Sequence, residues 1–136
     1  NIEVHYTGTD TLEKMIDYAR KKNLNARFLN CDIFKANPFE NEEFDLIYSS
    51  GIFNLNLGNN IEFLTEAIVT FLGLSRNIVA FNLLNHKSLD KEDKYYYYNP
   101  NAVKKFIQDR FGKEIGSVRI IDGYLHNDFT VICEKR

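Results

Sequence analysis

Apolar residues alternate at Ile2, Val4 and Tyr6, then give way to Gly8 and an acid, Asp10, where the spacing changes. Over residues 11–23, Leu12, Met15, Ile16 and Ala19 fall at i, i+3, i+4 and i+7, with Arg20, Lys21 and Lys22 in the closing turn. Cations there favour the negative end of a helix, so the pattern predicts a strand over residues 2–6 followed by an amphipathic helix. The run ARFLN (26–30) predicts a short strand ending at Cys31 and Asp32. A polar stretch containing Pro38 separates it from a further strand, FDLIYS (44–49). Helical spacing returns over residues 61–74, where Ile61, Leu64, Ala67, Ile68, Phe71 and Leu72 are apolar and Gly73 stands where a helix would close.

NIVAFN (77–82) is apolar but too short for a helix, and a polar loop leads from it to four tyrosines, Tyr95 to Tyr98. Pro100 suits a first helical turn and Asn99 can cap it, with Val103, Phe106, Ile107 and Phe111 on one face and an end near Gly112. SVRII (117–121) and FTVICE (129–134) are strands joined by a link containing Gly123, Asn127 and Asp128, too short for a crossover helix. They therefore form an antiparallel pair. The order predicts one α/β domain over residues 1–136: a three-layer, Rossmann-like arrangement with a mostly parallel sheet and an antiparallel C-terminal hairpin strand.

With 136 residues and 44% hydrophobic content, the chain is long enough for one core. Its net charge is −2 and its lysines and arginines are scattered, which argues against nucleic acid as a partner. Cys31 and Cys133 lie in separate apolar runs without CxxC spacing and are expected to be buried, reduced thiols. His5, His86 and His126 lack ligand spacing with carboxylates or thiols, so no metal site is expected. No apolar run reaches the roughly 18 to 20 residues of a membrane span, and the expected location is the cytoplasm.

In open α/β sheets, ligands bind beyond the carboxyl ends of the strands. Those ends here are Gly8-Thr9-Asp10-Thr11, Asn30-Cys31-Asp32-Ile33, Ser49-Ser50-Gly51-Ile52-Phe53-Asn54 and Asn82-Leu83-Leu84-Asn85. An acid at such a tip suits ribose hydroxyls. Each position also has a plain structural reading. Asp10 could form a capping box with Glu13, Asp32 could close a turn, and Ser49-Ser50-Gly51 could be a tight strand exit. Tyr97 and its neighbours could line an acceptor pocket or pack as a lid. Asn54, Asn82 and Asn85 could orient an acceptor or satisfy loop backbone, and His86 is the one histidine placed to act as a base.

Taken in order, YTGTDTLEKMIDYARKKN, ARFLNCDIF and NPFENEEFDLIYSSGIFNL resemble the second, third and fourth strand motifs of class I S-adenosylmethionine-dependent methyltransferases. The tail SVRIIDGYLHNDFTVICEKR resembles that family's closing strand, turn and reversed strand. SSGIFN, IVAFNLL and YYYNP are similar to a group of bacterial methyltransferase-domain proteins. The resemblance implies S-adenosylmethionine as cofactor, methyl transfer to a small molecule as activity, Asp10 with Thr11 at the ribose, and Asp32 at the adenine amino group. It further implies the Ile33 N–H at a ring nitrogen and Ser49, Ser50 and Gly51 under the methionine part. Leu12 departs from the pattern, standing where the family often has a serine cap. The family's first strand and its glycine-rich loop have no counterpart here, and that strand would run between strand 2–6 and strand 44–49. Each buried apolar side chain of such a strand contributes roughly 1.5 to 3 kcal/mol, so an upstream segment is expected to supply it and this chain, as a fragment, is expected to bind the cofactor only in part; alternatively the sheet closes up around the gap or borrows a strand from a neighbouring molecule. Two other readings remain open: a methyltransferase-like binding or assembly module without turnover, and a Rossmann domain for another adenosine ligand.

Overall fold

The structure is a computed structural model that describes residues 1–23 and 25–136. It divides into two compact units, Asn1–Phe39 and Glu40–Arg136.

The first unit contains β1 (Thr7–Asp10), α1 (Glu13–Lys22) and β2 (Arg27–Asn30), with β1 and β2 parallel in a two-stranded sheet. The ladder begins only beyond the strand expected over residues 2–6. β2 offers four residues, which pair with Thr7 to Asp10, so Ile2 and Val4 lie outside the strand and stand 93% and 76% exposed. Tyr6 stays close, receiving the Arg27 N–H at 3.0 Å and meeting the Phe28 ring edge-on at 5.8 Å. α1 carries the expected stripe, yet only Ile16 of it is buried; Leu12 and Met15 remain exposed.

The second unit holds β3 (Phe44–Ser49), α2 (Asn60–Leu74), β4 (Ser75–Leu84), α3 (Pro100–Phe111), β5 (Ile115–Ile121) and β6 (Asp128–Lys135). Its sheet runs β3-β4-β6-β5, with β3 and β4 parallel and β6 antiparallel to both neighbours, as the tail pattern predicts. Period-two alternation sends Val79, Phe81 and Leu83 of β4 and Phe129, Val131 and Cys133 of β6 to one face, where all six have zero exposure. α2 packs on β4 and α3 on β5, contributing Leu64, Ala67, Ile68 and Ile107 at zero exposure. α2 runs through Gly73, the expected closing position, to Leu74. α2 passes straight into β4, where the Ser75 hydroxyl donates to the Ile78 carbonyl at 2.8 Å. The Asn99 side chain caps α3 by accepting from the N–H groups of Asn101 and Ala102.

Among the described residues β1 pairs only with β2, and β3 only with β4, so the two strands expected to flank the family's first strand each terminate a sheet. Both cysteines are free; Cys133 is buried as expected, whereas Cys31, just beyond the end of β2, is only half-buried.

Candidate functional site

In the first unit the two acids sit just where adjacent parallel strands end. Asp10 closes β1, and its Oδ1 accepts the Leu12 N–H at 2.8 Å. The helix cap is Leu12 with no side-chain cap bond, so Asp10 shapes an Asx turn before α1 and no capping box forms. Asn30 fixes the strand end by donating its side-chain amide to the Asp10 carbonyl at 3.0 Å, and the Cys31 N–H donates to the same carbonyl at 3.1 Å. Asp32 builds a matching turn after β2. Its Oδ1 accepts the Phe34 N–H at 3.0 Å, and its carbonyl accepts from Lys35 and Ala36. Each carboxylate therefore spends one oxygen on its own loop, and the Oδ2 of each meets no donor among the described residues. Thr11 is exposed and Ile33 half-buried within these turns. Burial, reinforced by the adjacent Asp32 charge, pushes the Cys31 thiol above its ordinary pKa.

In the second unit, Ser49, Ser50 and Gly51 form the exit of β3. Ser49 is buried opposite Phe81, while Ser50 and Gly51 are exposed. Gly51 has φ +81, a left-handed conformation that favours glycine, and nothing lies within 4 Å of the position a Cβ would take. Asn82, near the end of β4, gathers this loop. Its Oδ1 accepts the Gly51 N–H at 2.9 Å, and its Nδ2 donates to Ser50 Oγ at 3.2 Å and to Asp128 Oδ2 at 3.0 Å. Asp128 opens β6 opposite Leu84, and burial raises its carboxyl above the ordinary range, partly offset by hydrogen bonds from Asn82, the Phe129 backbone and Tyr124. The Tyr124 hydroxyl also shares a 2.9 Å bond with Thr130 Oγ1, and its pKa is raised, chiefly by burial.

The tyrosine run is a strap stitched into place at both ends. Tyr96 donates its N–H to the Asn54 carbonyl at 2.9 Å and Leu55 bridges Tyr95, while Tyr98 donates to the Leu84 carbonyl at 2.7 Å and returns its own carbonyl to the His86 N–H at 2.9 Å. Tyr97 turns its hydroxyl to the Glu92 N–H at 3.0 Å. Tyr98 is 3% exposed, and among the described residues its hydroxyl has no partner at hydrogen-bonding geometry. It lies beside Asn60, whose side chain already bonds the Leu55 carbonyl and the Leu57 N–H, and burial drives its pKa to about 12. A groove of about 260 Å³ opens between this strap and the helices, walled by Ile61, Leu64, Tyr96, Val103 and Phe106. Asn85, 2% exposed, ties the end of β4 to the β5–β6 link through Asp122 at 3.1 Å.

The structure thus brings Asn82 together with Ser50 and Gly51, and joins Asn54 and His86 to the tyrosine strap through their backbones. The residue missing from the sequence reading is Asp128. Its place at the start of the reversed strand is readable from the sequence, but that it meets Asn82 follows from a cross-strand register the sequence does not display. Among the described residues no group of three or more His, Cys, Asp or Glu side chains could hold a metal ion, and no helix is long and apolar enough to cross a membrane.

An α/β arrangement with acids ending its first two strands and a reversed final strand is the methyltransferase fold. Residues 1–72 match the methyltransferase domain family, and the chain belongs to it. The fold is shared with magnesium protoporphyrin IX methyltransferase of Synechocystis PCC 6803, solved with bound SAM. That likeness has a TM-score of 0.68 and 13% identity, covering 98% of this chain and 60% of that one. A SAM-dependent methyltransferase from Aquifex aeolicus gives 0.63 and 20% over 96% of this chain and 68% of the other. The N-methyltransferase NodS of Bradyrhizobium japonicum WM9, in complex with SAH, gives 0.65 and 13% over 96% and 66%. The chain spans 60% and 64% of the lengths of the two magnesium protoporphyrin IX methyltransferase structures it matches. No curated protein matches it in sequence.

Proposed function

We propose that this chain carries S-adenosylmethionine-binding elements of a methyltransferase acting on a small-molecule acceptor, its two compact units being parts of one methyltransferase domain. The observation that carries the reading is the pair of acid-tipped strand ends in which Asp10 and Asp32 each commit one oxygen to the local turn and keep the other available. That donor set fits the cofactor. A carboxylate accepts only, so it suits a ribose diol at Asp10, beside Thr11, and an exocyclic amino group at Asp32. The Ile33 N–H follows directly and can donate to a ring nitrogen. Ser49, Ser50 and Gly51 are assigned to the methionine part, where the absent glycine side chain leaves open space. When bound, the cofactor supplies an electrophilic methyl group on a sulfonium; the chain's share is alignment and the exclusion of water.

Of the residues expected to face an acceptor, Asn82 is engaged by Gly51, Ser50 and Asp128, and the Tyr97 hydroxyl is engaged by Glu92. We therefore assign both to holding loops. Asn54 and His86, at the two seams of the tyrosine strap, remain the acceptor-side candidates, with His86 as the base for an acceptor that must lose a proton. A small molecule is favoured over nucleic acid because basic residues form no continuous patch in the sequence.

The test is calorimetric titration of the natural protein with S-adenosylhomocysteine. Binding is expected, and Asp10→Ala should weaken it about 10- to 100-fold, the worth of charge-assisted hydrogen bonds of roughly 1.5 to 3 kcal/mol. Absence of binding to the wild type, or equal affinity in the variant, would overturn the assignment.

A further inference from the structure

Asn82 is a planar amide wedged between two partners that each tolerate only one of its ends. The Gly51 N–H can only donate, so it demands the amide oxygen. The ionised Asp128 carboxylate can only accept, so it demands the amide nitrogen. Ser50 Oγ serves either end and decides nothing. The Gly51 turn is therefore held in its left-handed conformation by an amide whose orientation is set on the far side by an acid from another strand. A second contact, the Asn54 N–H to the Gly51 carbonyl at 3.3 Å, is long and leaves the Asn82 bond as the principal tie.

We propose that Asp128 is a positioning residue that sets the Ser50–Gly51 turn through Asn82. The consequence for cofactor affinity rests on the reading of that turn as the seat of the methionine part. Protonation loosens the arrangement. A neutral carboxyl gains an O–H that can donate to the Asn82 oxygen, so it no longer demands the amide nitrogen and the Gly51 N–H alone is left to orient the amide. The titratable group facing Asp128 is Tyr124 on the β5–β6 link, with Tyr48 of β3 beyond it. No cation forms an ion pair with Asp128 among the described residues. Burial places its protonation closer to working pH than that of an ordinary aspartate.

The experiment follows the Gly51 backbone amide by ¹⁵N NMR across pH 3 to 8, without any ligand, in wild type, Asp128→Asn and Asn82→Ala. In the wild type the Gly51 signal should move with the midpoint of the Asp128 carboxyl carbon. It should stay flat in Asp128→Asn. In Asn82→Ala the carboxyl should still titrate while Gly51 does not follow it, since the relay is gone. Gly51 titrating alike in either variant overturns the proposal, because it would then respond to field alone or to another group. S-adenosylhomocysteine titration supplies the second arm. Asp128→Asn should weaken binding about 3- to 10-fold at neutral pH and remove the part of its pH dependence that tracks the Asp128 carboxyl, and the double variant should bind no worse than Asn82→Ala alone. Equal affinity in wild type and Asp128→Asn overturns the link to the cofactor. Failure of the wild type to bind overturns the cofactor reading and leaves the Gly51 titration to decide the positioning role.

Discussion

The two compact units use similar parts to different effect. Both pair parallel strands through a helix, yet the unit Glu40–Arg136 buries whole rows of side chains, with Val79, Phe81, Leu83, Phe129, Val131 and Cys133 at zero exposure. In the unit Asn1–Phe39 Ile16 is the buried apolar side chain among the described residues, and Leu12, Met15 and Tyr18 of the same helix stand 62%, 53% and 61% exposed. A four-residue ladder with one helix buries too little apolar surface to offset the entropy of ordering its backbone, whereas four strands with two helices on one face can. Asp10 and Asp32 stand on the thin unit, and the Ser50–Gly51 turn stands on the thick one.

The largest effect should come from the centre of the thick unit. Phe81 has zero exposure and meets Phe53 edge-on at 5.5 Å, so Phe81→Ala should cost about 3 to 5 kcal/mol in chemical denaturation. Hydrogen exchange should show the same contrast without mutation: β4 and β6 amides exchanging by global unfolding, and β1 and β2 amides exchanging faster by local opening. Equal protection in both units would break the comparison.

Next in size is a change that probes a tight contact in the thin unit. A Cβ at Gly8 would lie 2.8 Å from two atoms of the Phe28 ring, which must swing away and lose its edge contact with Tyr6. Gly8→Ala should therefore cost about 1 to 3 kcal/mol by overpacking, read as lost protection of the β1–β2 amides with β4 unchanged. Asn99→Ala, in the thick unit, should cost about 1 kcal/mol in thermal denaturation by freeing the N–H groups of Asn101 and Ala102 at the start of α3.

The same contrast explains what the sequence disclosed. Periodicity located α2 and α3 because those elements bury one face, and burial is what imposes a period. It misplaced β1, since Ile2, Val4 and Tyr6 alternate like a half-buried strand while the length of β2 decides where pairing starts. Asp10 and Asp32 were legible as acids at strand tips, a local feature. Asp128 was not, because its importance comes from a register across more than forty residues that sets it opposite Leu84 and within 3.0 Å of Asn82. The stitching of the tyrosine strap to Asn54 and Leu84 is non-local in the same way.

The smallest effect tests the thick unit at its rim, where Asp128 is only half-buried and water screens most of its charge. Its carboxyl binds a proton more tightly in the folded chain than in the unfolded one, because burial disfavours the charge. The stability this contributes is therefore present below the unfolded carboxylate pKa and is lost as pH rises through the elevated folded value. Asparagine never acquires the charge, so Asp128→Asn should gain on the wild type in Tm between pH 3 and 7, with a small difference that levels off once the wild-type carboxyl is fully ionised. A difference that grows in the opposite direction would mean that the hydrogen bonds from Asn82 and Tyr124 to the carboxylate outweigh its burial. The turn at Gly51 would then be held by an acid the fold stabilises, rather than by one it tolerates for its orientation of Asn82.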